Sequence, residues 1–163
     1  MDKIHNEKVQ SKYFVSDTEW FSSLPKNKNL FKIGHLNIRS LPLHFENLIA
    51  TLADSVEQID LFALSETYLN EEKMSINDFS LPQFQSFAKH RTQKEKGGIL
   101  CYIKNCYSVE IEETDLSECE NMLVKVSENS KHLITVLIIY RPPRNNVRNF
   151  LDSLESFVSR RVE

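Results

Sequence analysis

Ile59-Asp60-Leu61-Phe62-Ala63-Leu64 is a nearly continuous apolar run, the pattern of a β-strand that is covered on both faces. On its N-terminal side, residues 42–57 carry apolar side chains near the 3.6-residue period of a helix, and Ser40 followed by Pro42 is typical of a helix start. Residues 31–37 have the pattern of a short strand. Strand, helix and strand together predict a βαβ unit, and therefore an α/β fold.

The chain on the C-terminal side of this unit is predicted to be rich in β-strands. Residues 68–95 are polar, contain Pro82 and show no sustained period, so we expect a loop-rich excursion there. Four β-compatible segments follow, and we expect them to form a meander of neighbouring strands at residues 98–104, 108–113, 122–128 and 132–140. Arg141-Pro142-Pro143 ends the last strand, and an amphipathic helix begins near Asn146.

Composition bounds the domain organisation and the compartment. The 163 residues have room for one domain, which we place at residues 30–163, after a polar leader and linker at residues 1–29. The longest apolar stretch, residues 133–140, is far shorter than the roughly 20 residues of a membrane-spanning helix, and the N-terminus lacks the apolar segment of a secretory signal. The three cysteines lack a C-x-x-C spacing. We expect an intracellular protein of the nucleus or cytoplasm, with reduced thiols and no membrane partner.

Three polar side chains lie at the carboxyl ends of predicted apolar strands: Asn37, Glu66 and Tyr140. Ligand-binding side chains of α/β sheets are found at such strand ends. Position alone leaves simpler alternatives open. Glu66 could be a solvated acid, Asn37 could cap the turn before the helix, and Tyr140 could be a strand-end aromatic that is half in the core.

Four short motifs occur in order along the chain. They are His35-Leu36-Asn37-Ile38-Arg39-Ser40-Leu41, Leu64-Ser65-Glu66-Thr67-Tyr68-Leu69, Gly97-Gly98-Ile99 and Tyr140-Arg141-Pro142-Pro143. In this order and spacing the chain resembles the exonuclease-endonuclease-phosphatase superfamily, specifically the apurinic-endonuclease-like domain of non-LTR retrotransposon polyproteins, over about residues 31–160. The resemblance implies a four-layered α/β sandwich with a mixed sheet and helices on the outside, present here as an incomplete, N-terminal half.

The resemblance also implies a role for each candidate residue. Glu66 is a ligand of a divalent cation, usually Mg²⁺, which prefers hard oxygen donors. Asn37 shares the metal site and orients an acidic ligand and the attacking water, because an amide can donate and accept hydrogen bonds at once. Tyr140 places its hydroxyl against a phosphate oxygen in the transition state. Arg39 stands where some members of the superfamily carry an acidic residue.

Two motifs of the family do not occur in these 163 residues: Gly-Asp-x-Asn and Ser-Asp-His. In the family they supply the aspartate that activates water and the histidine that binds the phosphate. A free glutamate titrates near pH ~4 and a tyrosine near ~10, so neither is a general base near neutral pH. None of the five histidines has a triad-like or metal-ligand spacing. We therefore expect a fragment of a Mg²⁺-dependent DNA endonuclease with little or no activity of its own.

Basic residues beside two of the motifs are candidate contacts for DNA phosphates. Arg91 lies in a basic cluster before Gly97, and Arg141 and Arg144 follow Tyr140. Phosphate contacts of this kind position a duplex without reading its bases. A solvated charged loop is an equally good explanation of the Arg91 cluster. The formal net charge of -3 excludes a polycation that coats nucleic acid, so any DNA contact must come from a local patch.

Two other functions stay open. The chain could be a non-enzymatic DNA- or protein-binding remnant that self-associates through an uncovered sheet face or edge. Alternatively, the superfamily could be right and the substrate could be a phosphoinositide or a repair lesion, although the Tyr140-Arg141-Pro142-Pro143 motif favours retrotransposons. Half of a sandwich should also fold marginally, because a few hundred Å² of wet apolar surface at about 25 cal/mol per Å² amounts to several kcal/mol.

Overall fold

The computed structural model describes residues 30–52, 56–70, 72–90 and 97–161. The predicted leader at residues 1–29 and the candidate DNA contact Arg91 lie outside the described residues. No helix in the described ranges is long and apolar enough to cross a membrane.

The first sheet contains the βαβ unit that the sequence predicts. Its strands are β1 (Ile33–Asn37), β2 (Leu61–Ser65), β3 (Phe84–Lys89) and β4 (Ile99–Lys104), in the order β1-β2-β4-β3. Strands β1 and β2 pair in parallel, and helix α1 (Leu41–Leu52) lies between them in sequence, as a parallel connection requires. All five residues of β2 are buried, which confirms the prediction of a strand covered on both faces.

The second sheet is an antiparallel meander of three strands. It consists of β5 (Ser108–Glu112), β6 (Glu120–Glu128) and β7 (Lys131–Tyr140), and helix α2 (Val147–Ser159) follows. The prediction that residues 98–104 begin this meander was wrong. That segment is β4, which lies between β2 and β3 in the first sheet. Five of its six residues are buried, because it is an interior strand with both faces covered.

The two sheets pack face to face, with one helix outside each of them. Between the sheets, one face of β2 and β4 meets one face of β6 and β7 in a buried cluster of Leu61, Ala63, Ile99, Cys101, Ile103, Met122, Val124, Val126 and Ile138. On the outer face of the first sheet, the Tyr102 hydroxyl donates to the Phe79 carbonyl, and the Phe79 ring packs edge-on against Phe45 of α1. On the outer face of the second sheet, Phe157 of α2 packs with Leu123. The predicted α/β class, with a mixed sheet and helices outside, is confirmed.

Residues 68–95 contain more regular structure than the sequence indicates. A 3₁₀ turn spans Ile76–Phe79, and β3 (Phe84–Lys89) pairs along its whole length with β4. The expectation of a loop-rich excursion was therefore wrong for β3. This strand lies at the edge of the sheet, and every residue in it is half-buried. Neither face is clearly buried or clearly exposed, so the sequence lacks the alternation of apolar and polar side chains that predicts a strand. Helix α1 is described over Leu41–Leu52, and a short 3₁₀ turn occupies Val56–Gln58, so the α-helix does not reach residue 57 as its apolar stripe suggests.

Candidate active site

Asn37, Glu66 and Tyr140, which are distant in sequence, lie together at one end of the two sheets. Asn37 is the last residue of β1 and pairs in register with Ser65, so Glu66 follows immediately beside it. Tyr140 is the last residue of β7 in the second sheet, and its hydroxyl donates a hydrogen bond to Oε1 of Glu66 across 74 positions of sequence. The structure thus brings together all three residues that the strand ends predict.

Backbone hydrogen bonds hold the segment around Glu66 on both sides. On the side of β1, the N–H groups of Ser40 and Leu41 donate to the carbonyls of Glu66 and Thr67, both at 2.8 Å. On the side of β4, the Tyr68 N–H donates to the Gly97 carbonyl at 2.8 Å. These bonds continue the sheet pairing beyond the ends of the strands. Glu66 therefore projects from a segment that its neighbours fix in place.

Several residues of these segments have positive φ. Glu66 and Tyr68 have φ values of 55° and 56°, and Ser40 in the adjacent segment has 108°. Non-glycine residues adopt this region rarely, and they persist there where surrounding contacts over-determine the backbone. Gly98, with φ of 90°, completes the arrangement from the third segment.

The Glu66 carboxylate is ionised near neutral pH. The hydrogen bond from Tyr140 is the largest influence that lowers the pKa of Glu66, and further hydrogen bonds from Asn37 and Tyr68 together with the charge of Arg39 act in the same direction against partial burial. Burial and the hydrogen bond to Glu66 raise the pKa of Tyr140 to about 12. At neutral pH the site therefore combines a carboxylate with a protonated phenol that donates to it.

Asn37 lies between the turn after β1 and the Glu66 carboxylate. Its Oδ1 atom accepts the Arg39 N–H at 3.3 Å. Its side chain also lies close enough to Glu66 to lower the pKa of that carboxyl. The side chain thus takes part in the turn after β1, as the simpler alternative supposed, and it also influences Glu66.

Two residues at the site were not among the predicted ones. The Tyr68 hydroxyl donates to Oε2 of Glu66 at 3.1 Å, and Oε2 of Glu120 accepts the Gly98 N–H at 2.6 Å. Glu120 also lies opposite Tyr140 in the pairing of β6 with β7. Tyr68 could have been noticed from its place two residues after Glu66. No local feature of the sequence around Glu120 distinguishes it from other acidic residues.

The two described candidates for DNA contact differ in their surroundings. The guanidinium of Arg141 donates through Nη1 to the carbonyls of Pro142 and Asn145, at 3.1 and 3.0 Å, so it stabilises the turn that leads to α2. Arg144 is exposed and forms no ion pair with a described residue.

The donor atoms at the site suit a weakly held hard cation. A carboxylate and an amide oxygen are donors that Mg²⁺ accepts, and Mg²⁺ commonly binds through one or two protein carboxylates and retains several waters. Each oxygen of Glu66 accepts one phenol and keeps a further lone-pair direction. Across the described part of the chain, no three His, Cys, Asp or Glu side chains gather as a metal-binding group. Glu66 with Asn37 therefore fits a cation bound through a single protein carboxylate.

Comparison with known proteins supports the fold. No family model matches the sequence, and no curated protein matches it either. Among solved structures, the 3′ phosphatase NExo from Neisseria bound to a product DNA hairpin is similar, with a TM-score of 0.59 at 18% identity. The 3′-5′ exonuclease NExo from Neisseria meningitidis is similar with a TM-score of 0.58, also at 18% identity. The chain shares the NExo fold.

The extent of this likeness is uneven between the two proteins. The alignments cover 82% and 81% of this chain, but 53% of the NExo chain in both cases. The chain therefore spans about half the length of the solved structures that it matches. This similarity confirms the predicted α/β fold.

Proposed function

We propose that this chain provides part of the active site of a divalent-metal-dependent DNA endonuclease of the kind found in non-LTR retrotransposons. The observation that carries the proposal is the meeting of Asn37, Glu66 and Tyr140, which come from the ends of two parallel strands and of a strand in the other sheet. The order of the four sequence motifs and the fold shared with a DNA-processing phosphatase and exonuclease support it.

Each residue would have a separate role in phosphodiester hydrolysis. Glu66, ionised by its hydrogen bonds, would bind Mg²⁺ through its remaining lone pairs, and Asn37 would hold the carboxylate in position or share the ion through Oδ1. When bound, Mg²⁺ polarises the scissile phosphate and stabilises the leaving oxygen. Tyr140 remains protonated at neutral pH, and its single O–H, which donates to Glu66 in this structure, would turn to a phosphate oxygen in the transition state, where the charged acceptor again makes the hydrogen bond strong.

These residues lack a group that could activate water near neutral pH. The pKa of Glu66 is lowered and the pKa of Tyr140 is raised, so both pKa values lie further from neutral pH than the usual values of these groups. The 163 residues contain neither the Gly-Asp-x-Asn motif nor the Ser-Asp-His motif. We therefore expect the protein to bind the cation and DNA while showing little or no cleavage.

Binding of Mn²⁺ provides the direct test of the metal site, because Mn²⁺ accepts the same oxygen donors as Mg²⁺ and its free concentration can be read by electron paramagnetic resonance. We expect wild type to bind Mn²⁺ in competition with Mg²⁺, and Glu66→Gln to lose this binding. Glu155→Gln is the matched control, since it removes one carboxylate from the exposed surface of α2. Equal binding by Glu66→Gln and wild type would remove the basis of the proposal.

Supercoiled plasmid with Mg²⁺ tests the expected lack of cleavage. Nicking by wild type that disappears in Glu66→Gln would show that the chain is an active nuclease and that the expectation was wrong. Nicking that persists in Glu66→Gln would indicate a contaminant.

DNA contact by Arg141 and Arg144, and by Arg91 outside the described residues, is part of the same proposal. Arg144 is the better test because its guanidinium is exposed, whereas that of Arg141 also stabilises a turn. Arg144→Ala should weaken binding of a duplex about equally for all sequences and reduce the salt slope by about one. Fluorescence anisotropy at several salt concentrations measures both quantities.

A second candidate function is a non-enzymatic binding module, and the exposed β1 edge favours it. Strand β1 pairs with β2 alone among the described strands, and Ile33 and Leu36 in it are 43% and 42% exposed. Open edges with apolar side chains favour pairing with another chain. Sedimentation over a range of concentrations would reveal self-association, and Leu36→Lys should then disperse the protein. Self-association without Mn²⁺ binding at Glu66 would favour this candidate over the nuclease.

A further inference from the structure

Tyr68 and Tyr140 approach the Glu66 carboxylate from different parts of the fold. The Tyr140 hydroxyl donates to Oε1, and the Tyr68 hydroxyl donates to Oε2 at 3.1 Å. Each oxygen of the carboxylate is thus bound by one phenol. We propose that Tyr68 is a positioning residue: together with Tyr140 on the opposite oxygen, it fixes the orientation of the Glu66 carboxylate for binding a divalent cation. This inference rests on the proposed function.

The backbone around Tyr68 is arranged to place this hydroxyl. Tyr68 has φ of 56°, a conformation that is uncommon for a bulky aromatic residue. Its N–H donates to the Gly97 carbonyl at 2.8 Å, and its neighbours Thr67 and Leu69 are buried. The loop therefore cannot relax without losing a backbone hydrogen bond and exposing two side chains. With Thr67 directed inward, the side chains of residues 66 and 68 meet on the same side of the segment.

The two phenols also determine what the carboxylate can do. A glutamate side chain has three rotatable bonds, and a second donor on the opposite oxygen removes rotation that a single donor leaves free. Both donors favour the ionised form, which is the form that binds a cation. Burial and the hydrogen bond to Glu66 raise the pKa of Tyr68, so its hydroxyl remains a donor at neutral pH. Tyr68 acts on the cation through Glu66 and need not touch it.

Tyr68→Phe removes the hydroxyl and keeps the ring. Tyr107→Phe is the matched control, because the Tyr107 hydroxyl donates to a different carboxylate, that of Asp60, at 3.3 Å. Two readouts apply to the full chain: the pKa of the Glu66 side chain from carbon NMR of labelled glutamate, with the resonance identified by Glu66→Gln, and the affinity for Mn²⁺. We expect Tyr68→Phe to raise the pKa of Glu66 and to weaken Mn²⁺ binding, and Tyr107→Phe to change neither.

The expected loss of Mn²⁺ affinity is about threefold to tenfold. Partners of metal ligands typically contribute roughly 10–100-fold, and the partial exposure of Glu66 reduces the effect here. An unchanged Glu66 pKa together with unchanged Mn²⁺ affinity in Tyr68→Phe would overturn the inference. Failure of the proposed function looks different: Glu66→Gln would then bind Mn²⁺ as wild type does, while a raised Glu66 pKa in Tyr68→Phe would still support the positioning of the carboxylate by Tyr68.

Discussion

Replacing Gly98 by alanine tests the packing that places Glu66. Gly98 has φ of 90°, and a Cβ atom there would lie 2.6 Å from Oγ1 of Thr67. Thr67 is 1% exposed and lies between Glu66 and Tyr68, so its side chain has little space to move away. The left-handed backbone costs an alanine about 1–2 kcal/mol, and overpacking adds about 1–3 kcal/mol. We expect Gly98→Ala to lose about 2–5 kcal/mol of unfolding free energy.

Urea denaturation followed by circular dichroism measures this loss, and a second background separates its two causes. Thr67→Ala removes the Oγ1 atom that the new methyl group would meet, so it should relieve the steric part while the backbone part remains. In that background Gly98→Ala should cost only about 1–2 kcal/mol. The reasoning would be refuted if Gly98→Ala unfolded within about 0.5 kcal/mol of wild type, or if it cost the same in both backgrounds.

Other predictions concern caps, buried charge, pH and thiols. Asn146→Ala removes the side-chain oxygen that accepts the N–H groups of Arg148 and Asn149 in the first turn of α2, and denaturant unfolding should show a loss of about 1 kcal/mol. Asp60→Ala removes a buried acceptor of hydrogen bonds from a backbone N–H, a lysine and a tyrosine, and the same assay should show about 3–5 kcal/mol, with a loss under about 1 kcal/mol contradicting the role. The pKa of Tyr140 is raised to about 12 in the folded protein, compared with about 10 in the unfolded chain. Its contribution to the unfolding free energy is therefore complete below about pH 10 and is lost as the pH rises through about 12. Between these two pH values the unfolding free energy should fall less steeply in Tyr140→Phe than in wild type. Cys106 is exposed and should react with Ellman's reagent in the folded protein, whereas Cys101, buried and with its pKa raised by burial, should react only on unfolding.

The parts of the fold that sequence predicted are those with a strong local pattern. Strand β2 is apolar throughout because both of its faces are covered, and helix α1 carries a clear apolar stripe. A helix between two strands implies parallel pairing, so the adjacency of Asn37 and Glu66 at one sheet edge followed from local features alone. Local pattern also placed Tyr140 at a strand end, whereas its expected position beside Glu66 came from the resemblance to a known superfamily, and the two side chains do meet in the structure.

The predictions were wrong where the structure depends on which strands pair with each other. Nothing in residues 99–104 indicates that β4 pairs with β2 and β3 rather than with β5, because a local apolar pattern specifies burial and not the neighbouring strand. Strand β3 forms along β4 despite its irregular pattern, since an edge strand gains its hydrogen bonds from the partner. Tyr68 and Glu120 were missed for a related reason. Their contacts depend on a left-handed backbone and on strand register, which neither residue type reveals.

The distribution of backbone strain provides an independent indication of where the site lies. Of the ten positive-φ residues in the described part of the chain, six lie in the segments around Glu66: Arg39, Ser40, Glu66, Tyr68, Gly97 and Gly98. The pair Asn129 and Ser130, in contrast, occupies the tight turn between β6 and β7, where a hairpin requires this conformation. Glycine at residues 66 and 68 would relieve about 1–2 kcal/mol of strain at each position. The side chains of Glu66 and Tyr68 therefore contribute something that glycine lacks. The hydrogen bond between them indicates what this is. The left-handed backbone places both polar side chains on one face of the segment, while Thr67 between them is buried.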